Sequence, residues 1–151
     1  MIYTENLYSE IILKNRQKIE KFRVITGYSS GTFIEKVLRD CHNVAIELYI
    51  GMALQGISKI DHLKYLKMST RKNIKIYYVY ELPYVHQKII EVYNRSGKKI
   101  TYVGSANFSG NGFGKQMELL TTVSDDLDSI FESVRQRAIL CNAVCKIKLE
   151  K

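Results

Sequence analysis

Three apolar runs with strand character, FRVITGY (22–28), NVAIELYIG (43–51) and NIKIYYVYE (73–81), are separated by two segments with helical periodicity. No other feature of the chain limits its fold so strongly. The first intervening segment, SSGTFIEKVLRDC, places Phe33, Ile34, Val37, Leu38 and Cys41 on one helical face. The second opens with the capping-box pair Ser58 and Asp61 and is expected to run to about Met68. Strands joined through helices must cross over and so lie parallel. After residue 85 the pattern changes. HQKIIEVYN and KKITYVGSAN are strand-type runs joined by the turn signal RSG, and MELLTTV is another strand. Parallel crossovers followed by hairpins predict an α/β sandwich with a central mixed β-sheet flanked by helices.

Helices are expected at both ends. Thr4 can cap a helix over residues 4–20 with Leu7, Ile11 and Ile12 on one face. Asp125 can open a last helix whose stripe is Leu127, Ile130, Phe131, Val134, Ala138 and Cys141. A length of 151 residues with no repeat or linker predicts one domain over 1–151, an N-terminal helix within 1–20 and a core over 21–142.

The formal net charge of +8, with a pI near 9.3, points to a polyanionic partner, either nucleic acid or an anionic membrane surface. No apolar run approaches the roughly 18 residues of a membrane span, and MIYTENLYSE is unlike a signal peptide. Three cysteines, an odd number, fit free thiols in a reducing compartment, so a cytoplasmic location is expected. Cys141 and Cys145, four apart on the expected last helix, are read as structural thiols. The loop SGNGFG (109–114) lacks the P-loop pattern and is read as backbone that passes close to a substrate.

Strand alternation puts His86 and Lys88 on one face, and Ser105 and Asn107 on one face of the next strand, where Gly104 leaves room for a ligand. With Glu118 further on, these six residues resemble the phospholipase D superfamily, and GSANFSGNGFGKQMELL resembles its nuclease branch, in particular metal-independent restriction endonucleases. The resemblance covers about residues 20–142. One departure is Tyr93, which stands where the fuller motif has an Asp five residues after the Lys. That change weakens a lipid-hydrolase reading more than a nuclease one.

Phosphodiester cleavage needs a nucleophile, an acid for the leaving oxygen and positive charge around the phosphate. A neutral His86 imidazole can attack phosphorus to give a phosphohistidine, and a second histidine can protonate the leaving alkoxide. Lys88 and Asn107 would hold the non-bridging oxygens, with Ser105 as a further donor. The resemblance implies that Glu118 hydrogen-bonds the imidazole and fixes its tautomer. Neither His42 nor His62 is followed by a lysine two positions on, so the chain carries one motif. A homodimer with the active site at its interface is therefore expected. The scheme uses no metal and no cofactor, and no compact carboxylate cluster is apparent in the sequence.

Arg95 and Lys98 in the hairpin turn, and Lys115 beyond GSANFS, are candidates to line a phosphate groove. Arg71, Lys72 and Lys75 are read as a solvated face. The expected substrate is DNA. A chain this short leaves no room for a separate target-recognition domain, so any site choice would reside in a missing C-terminal segment, in a partner, or nowhere. Two other readings stay open: a phospholipid phosphodiesterase or phosphatidyl transferase, and a non-enzymatic DNA-binding dimer.

Overall fold

The computed structural model describes residues 1–142 and the backbone of Leu149–Glu150. The strands are β1 (Ile2–Tyr3), β2 (Ile19–Thr26), β3 (Ala45–Ile50), β4 (Ile57–Ser58), β5 (Ile74–Val79), β6 (Ile89–Asn94), β7 (Lys99–Gly104), β8 (Leu120–Val123), β9 (Ala138–Leu140) and β10 (Leu149–Glu150). The helices are α1 (Gly31–Asp40), α2 (Lys59–Met68) and α3 (Asp128–Arg135). Eight strands form one sheet in the order β1-β8-β7-β6-β2-β3-β5-β9, while β4 and β10 pair separately. β2, β3 and β5 are parallel, and β6, β7 and β8 run as antiparallel hairpins. This is the mixed α/β architecture that the alternation predicts.

The alternation along β2 divides its side chains between two cores. Phe22 and Val24 face the larger one, with Phe33, Ile34 and Val37 of α1 and Tyr65 and Met68 of α2. Ile25 faces the smaller one, with Tyr49, Val85, Ile89 and Phe131 and Val134 of α3. Each of the first two helices starts at a serine. Ser30 Oγ accepts from Phe33 N at 3.2 Å, and Ser58 Oγ accepts from Asp61 N at 3.1 Å. Asp61 also accepts from Gly31 N at 2.8 Å, which ties the start of α2 to the start of α1.

Both terminal helices are shorter than the sequence suggests. The first is reduced to helical turns at Tyr8–Ile12 and Leu13–Asn15, and β2 has begun by Ile19. The Asn15 amide donates to the carbonyls of Glu10 and Ile11, ending the turn in place of a further helical residue. The apolar face is retained: Leu7, Ile11 and Ile12 are buried. At the other end α3 stops at Arg135, and Ala138 and Cys141 leave the helical stripe. Ala138–Leu140 pair with β5 as an edge strand, satisfying backbone groups that β5 would otherwise leave open. Cys141 is buried; Cys145 lies outside the described residues. No helix among the described residues is long and apolar enough to cross a membrane.

The segment 105–113 is held by an aromatic cluster. Phe108 is fully buried, with Phe22, Phe33 and Phe113 at ring-centroid distances of 5.6, 5.0 and 5.6 Å. Truncation there opens a cavity beneath Asn107. Phe108→Ala is expected to cost about 3–5 kcal/mol in urea unfolding; a loss under about 1 kcal/mol would show that the cluster does not anchor the segment.

Candidate active site

The sequence motifs converge at one end of the sheet, where β2 finishes, β6 starts and β7 finishes. None of the key side chains is inside a strand. β6 begins at Ile89, so His86 and Lys88 precede it, and β7 ends at Gly104, so Ser105 and Asn107 follow it. Extended backbone still carries His86 and Lys88, but its path is set by packing instead of ladder hydrogen bonds. Val85 is buried, and its N–H donates to Gly51 O at 3.4 Å, just beyond β3.

The imidazole of His86 lies against the backbone of Gly27, the residue after β2. A Cβ on Gly27 would stand 2.7 Å from His86 Cδ2 and 3.2 Å from Asn107 Oδ1, so His86 and Asn107 meet over a position that only glycine leaves open. The Tyr28 ring approaches His86 edge-on, with centroids 6.2 Å apart. Asn107 is fixed more tightly. Its Oδ1 accepts from Thr26 Oγ1, Gly27 N and Tyr28 N at 3.1, 3.1 and 3.2 Å. Three donors on one oxygen fix the amide orientation and leave the NH₂ group to point elsewhere. Thr26 also accepts from Phe108 N at 2.9 Å, closing the clamp.

Lys88 Nζ sits 2.9 and 3.1 Å from the two ring nitrogens of His86 and donates to its carbonyl at 2.8 Å. An ammonium can donate only to a ring nitrogen that carries a lone pair, so at most one of these two ring contacts is a hydrogen bond at a time. Burial holds Lys88 below the ordinary lysine range, and the nearby charge of Glu118 partly opposes this. Glu118 is linked to Ser105: Ser105 Oγ donates to Glu118 Oε1 at 3.2 Å and accepts from Leu119 N at 3.0 Å. The described hydrogen bonds of Glu118 run to Ser105, where the resemblance implied the imidazole.

Gly104 serves a different purpose from the one expected. A Cβ there would fall 2.0 Å from Leu119 O, so its small size admits the neighbouring strand and not a ligand. Arg95 and Lys98 are not brought to this end. The register pairs Ile25 with Ile89 and Ile19 with Asn94, so the hairpin turn sits a full strand away, about 20 Å. Lys115 does border the cleft beside Asn107. At the motif departure, Tyr93 donates to Glu91 Oε1 at 3.0 Å, and buried Glu91 pairs with Arg23 at 2.6 Å, so Tyr93 belongs to a structural network.

Thr26, Gly27 and Tyr28 are missing from the sequence-based site. The signal that could have found them is the run TGYSSG, in which a glycine closes a parallel strand just before a capped helix. Ligands gather at the carboxyl ends of such strands. Two substitutions probe the geometry. Gly27→Ala should lower kcat about 10²-fold by displacing the ring, with little change in Tm. Asn107→Asp keeps an acceptor for the three donors but loses the NH₂; it should lower kcat/KM about 10²-fold or more. Near wild-type turnover in either variant would remove Gly27 or Asn107 from the site.

Residues 5–147 match the family described as the NgoFVII restriction endonuclease N-terminal PLD domain, where PLD denotes phospholipase D. No curated protein matches in sequence. Among solved structures, the chain is similar to NucT from Helicobacter pylori, at 14% identity and a TM-score of 0.64 over 93% of this chain and 97% of that one. It is similar to Nuc of Salmonella typhimurium, a phospholipase D family member, at 13% identity and 0.63 over 94% and 95%. It also resembles yeast tyrosyl-DNA phosphodiesterase, at 15% identity and 0.53 over 82% of this chain but 30% of that one. At these identities the structural likeness establishes the fold, while the family match spans nearly the whole chain. The chain belongs to the family of phospholipase D domains found at the N-terminus of NgoFVII-type restriction endonucleases.

Proposed function

We propose that the chain is a metal-independent phosphodiesterase that cuts DNA as a homodimer with one shared active site. The observation that carries the reading is the meeting of His86 and Asn107 over Gly27, with Lys88 on the imidazole and Glu118, paired with Ser105, acting on Lys88 through its charge, and with one His-x-Lys motif in the chain. Family membership and the net charge of +8 support a nucleic-acid substrate.

In this scheme a ring nitrogen of His86 attacks phosphorus, forming the N–P bond as the P–O bond to one nucleotide breaks. The leaving alkoxide takes a proton from the partner subunit's His86. That second ring, now neutral, accepts a proton from water as the water oxygen attacks the phosphohistidine and frees His86. Lys88 and the Asn107 NH₂ stabilise the charge on the non-bridging oxygens. Exposed apolar side chains next to the site support a dimer. Met117 (99% exposed) and Leu119 (42%) flank Glu118, and Leu82 (67%) and Tyr84 (46%) lead into His86. A second copy seated over them would cover this rim and supply the second imidazole.

Wild type should cleave plasmid DNA in EDTA, leave phosphatidylcholine vesicles intact, and yield an acid-labile phosphoryl adduct on His86. His86→Ala should abolish cleavage while retaining DNA binding. Loss of cleavage in EDTA with recovery in Mg²⁺ would overturn the mechanism, and hydrolysis of vesicles without DNA cleavage would favour the lipid reading. The lysine adds a pH test. Glu118 opposes the depression of Lys88, so removing its charge should make the ammonium lose its proton at lower pH. In Glu118→Gln the alkaline limb of kcat/KM is expected to move down in pH; a limb that stays or moves up would show that Lys88 does not set it.

A further inference from the structure

Two hollows flank α1 and share Arg39. The first, about 740 Å³, begins at Tyr28 and Asn107 and is bordered by Lys36, Arg39 and Lys115. The second, about 460 Å³, is bordered by Arg39, Arg16, His42 and Arg95. Five cations therefore line them (Lys36, Lys115, Arg39, Arg16 and Arg95), against the two carboxylates of Glu35 and Asp40. Both acids are engaged. Glu35 pairs with Lys64 at 2.6 Å, and Asp40 accepts from Tyr8 OH at 2.6 Å. The three arginines are exposed, and two are held by backbone carbonyls: Arg16 donates to Leu13 O at 2.7 Å and Arg95 to His42 O at 3.2 Å. Each keeps further N–H groups for a ligand.

We propose that these two hollows form one track for the phosphate backbone of the substrate, running from the scissile phosphate at His86 and Asn107 past Arg39 to Arg16 and Arg95. The proposal rests on the phosphodiesterase reading of the site and extends it to the flanking strand. The track spans the length of β2, about 25 Å for its eight residues. Successive phosphates of one DNA strand advance about 3.4 Å along the helix axis and also turn around it, so the track meets a few of them before the backbone winds away. Contacts from these cations to phosphates position a strand by its charge and carry no sequence information themselves. Arg95, a strand's length from the chemistry, acquires a role there in holding distant phosphates.

The test uses the His86→Ala background, in which DNA stays intact, and a fluorescein-labelled duplex of about 20 base pairs followed by anisotropy across a NaCl series. Adding Arg16→Ala, Arg39→Ala and Arg95→Ala together should raise Kd at least tenfold. It should also reduce the magnitude of the log Kd–log salt slope by about 2.7, or roughly 0.9 for each phosphate released. Arg39→Glu alone, at an exposed helix position, should act in the same direction if the triple variant folds poorly. The control pair Lys72→Ala and Lys75→Ala should change neither quantity. Kd and slope equal to the control pair's would overturn the track. Hydrolysis of bis(4-nitrophenyl) phosphate by the wild type, a substrate too small to reach the arginines, checks the catalytic reading separately. Its absence would remove that reading while the anisotropy still decides the track.

Discussion

The site depends on a close approach at the end of β2. The His86 ring rests on Gly27, and the Asn107 amide is clamped by three donors from Thr26, Gly27 and Tyr28. His86 precedes β6 and Asn107 follows β7, two segments that share no ladder at this point. What brings them together is a backbone with no side chain in the way. β2 is paired on both sides, by β3 and β6, so its end is a rigid support for the imidazole that the proposed mechanism uses as nucleophile.

The layout separates what holds the fold from what does the chemistry. Phe108 and Val85 are buried one residue from Asn107 and His86, so the half-buried amide and the exposed imidazole each stand beside an apolar anchor. The arrangement leaves the imidazole and ammonium open to an incoming phosphate. It also leaves Met117, Leu82 and Tyr84 uncovered near them in sequence, an apolar rim that the proposed homodimer would cover. The Arg23–Glu91 pair, to which Tyr93 also donates, ties β2 to β6, so Tyr93 serves the sheet where the fuller motif has its Asp.

Much of this was legible in the sequence. Periodicity gave the parallel strands, the hairpins and the helix starts at Ser30 and Ser58, because local propensity and burial agree there. It failed at the ends. The stretch 4–20 has a helical apolar face, but Asn15 draws the backbone carbonyls of the turn and β2 takes the chain from Ile19. The spacing of Ala138 from Val134 is helical, whereas the open edge of β5 recruits it as a strand. The motif residues His86, Lys88, Ser105, Asn107 and Glu118 come together as their spacing suggests. Their supports, Thr26, Gly27 and Tyr28, lie about 60–80 residues away in sequence and depend on strand order, which no local pattern encodes. Strand order likewise sets the distance of Arg95, a candidate for a phosphate groove, which stands a strand's length from His86.

The central claim is that one chain supplies half of a two-imidazole site. Mixing wild type with an equal amount of His86→Ala, after dissociation and reassociation, tests it directly. If every active site needs His86 from both subunits, only wild-type pairs turn over, and activity should fall to about one quarter of that of the same total protein. Activity at about one half would mean that each subunit cuts alone, and it would contradict the shared site.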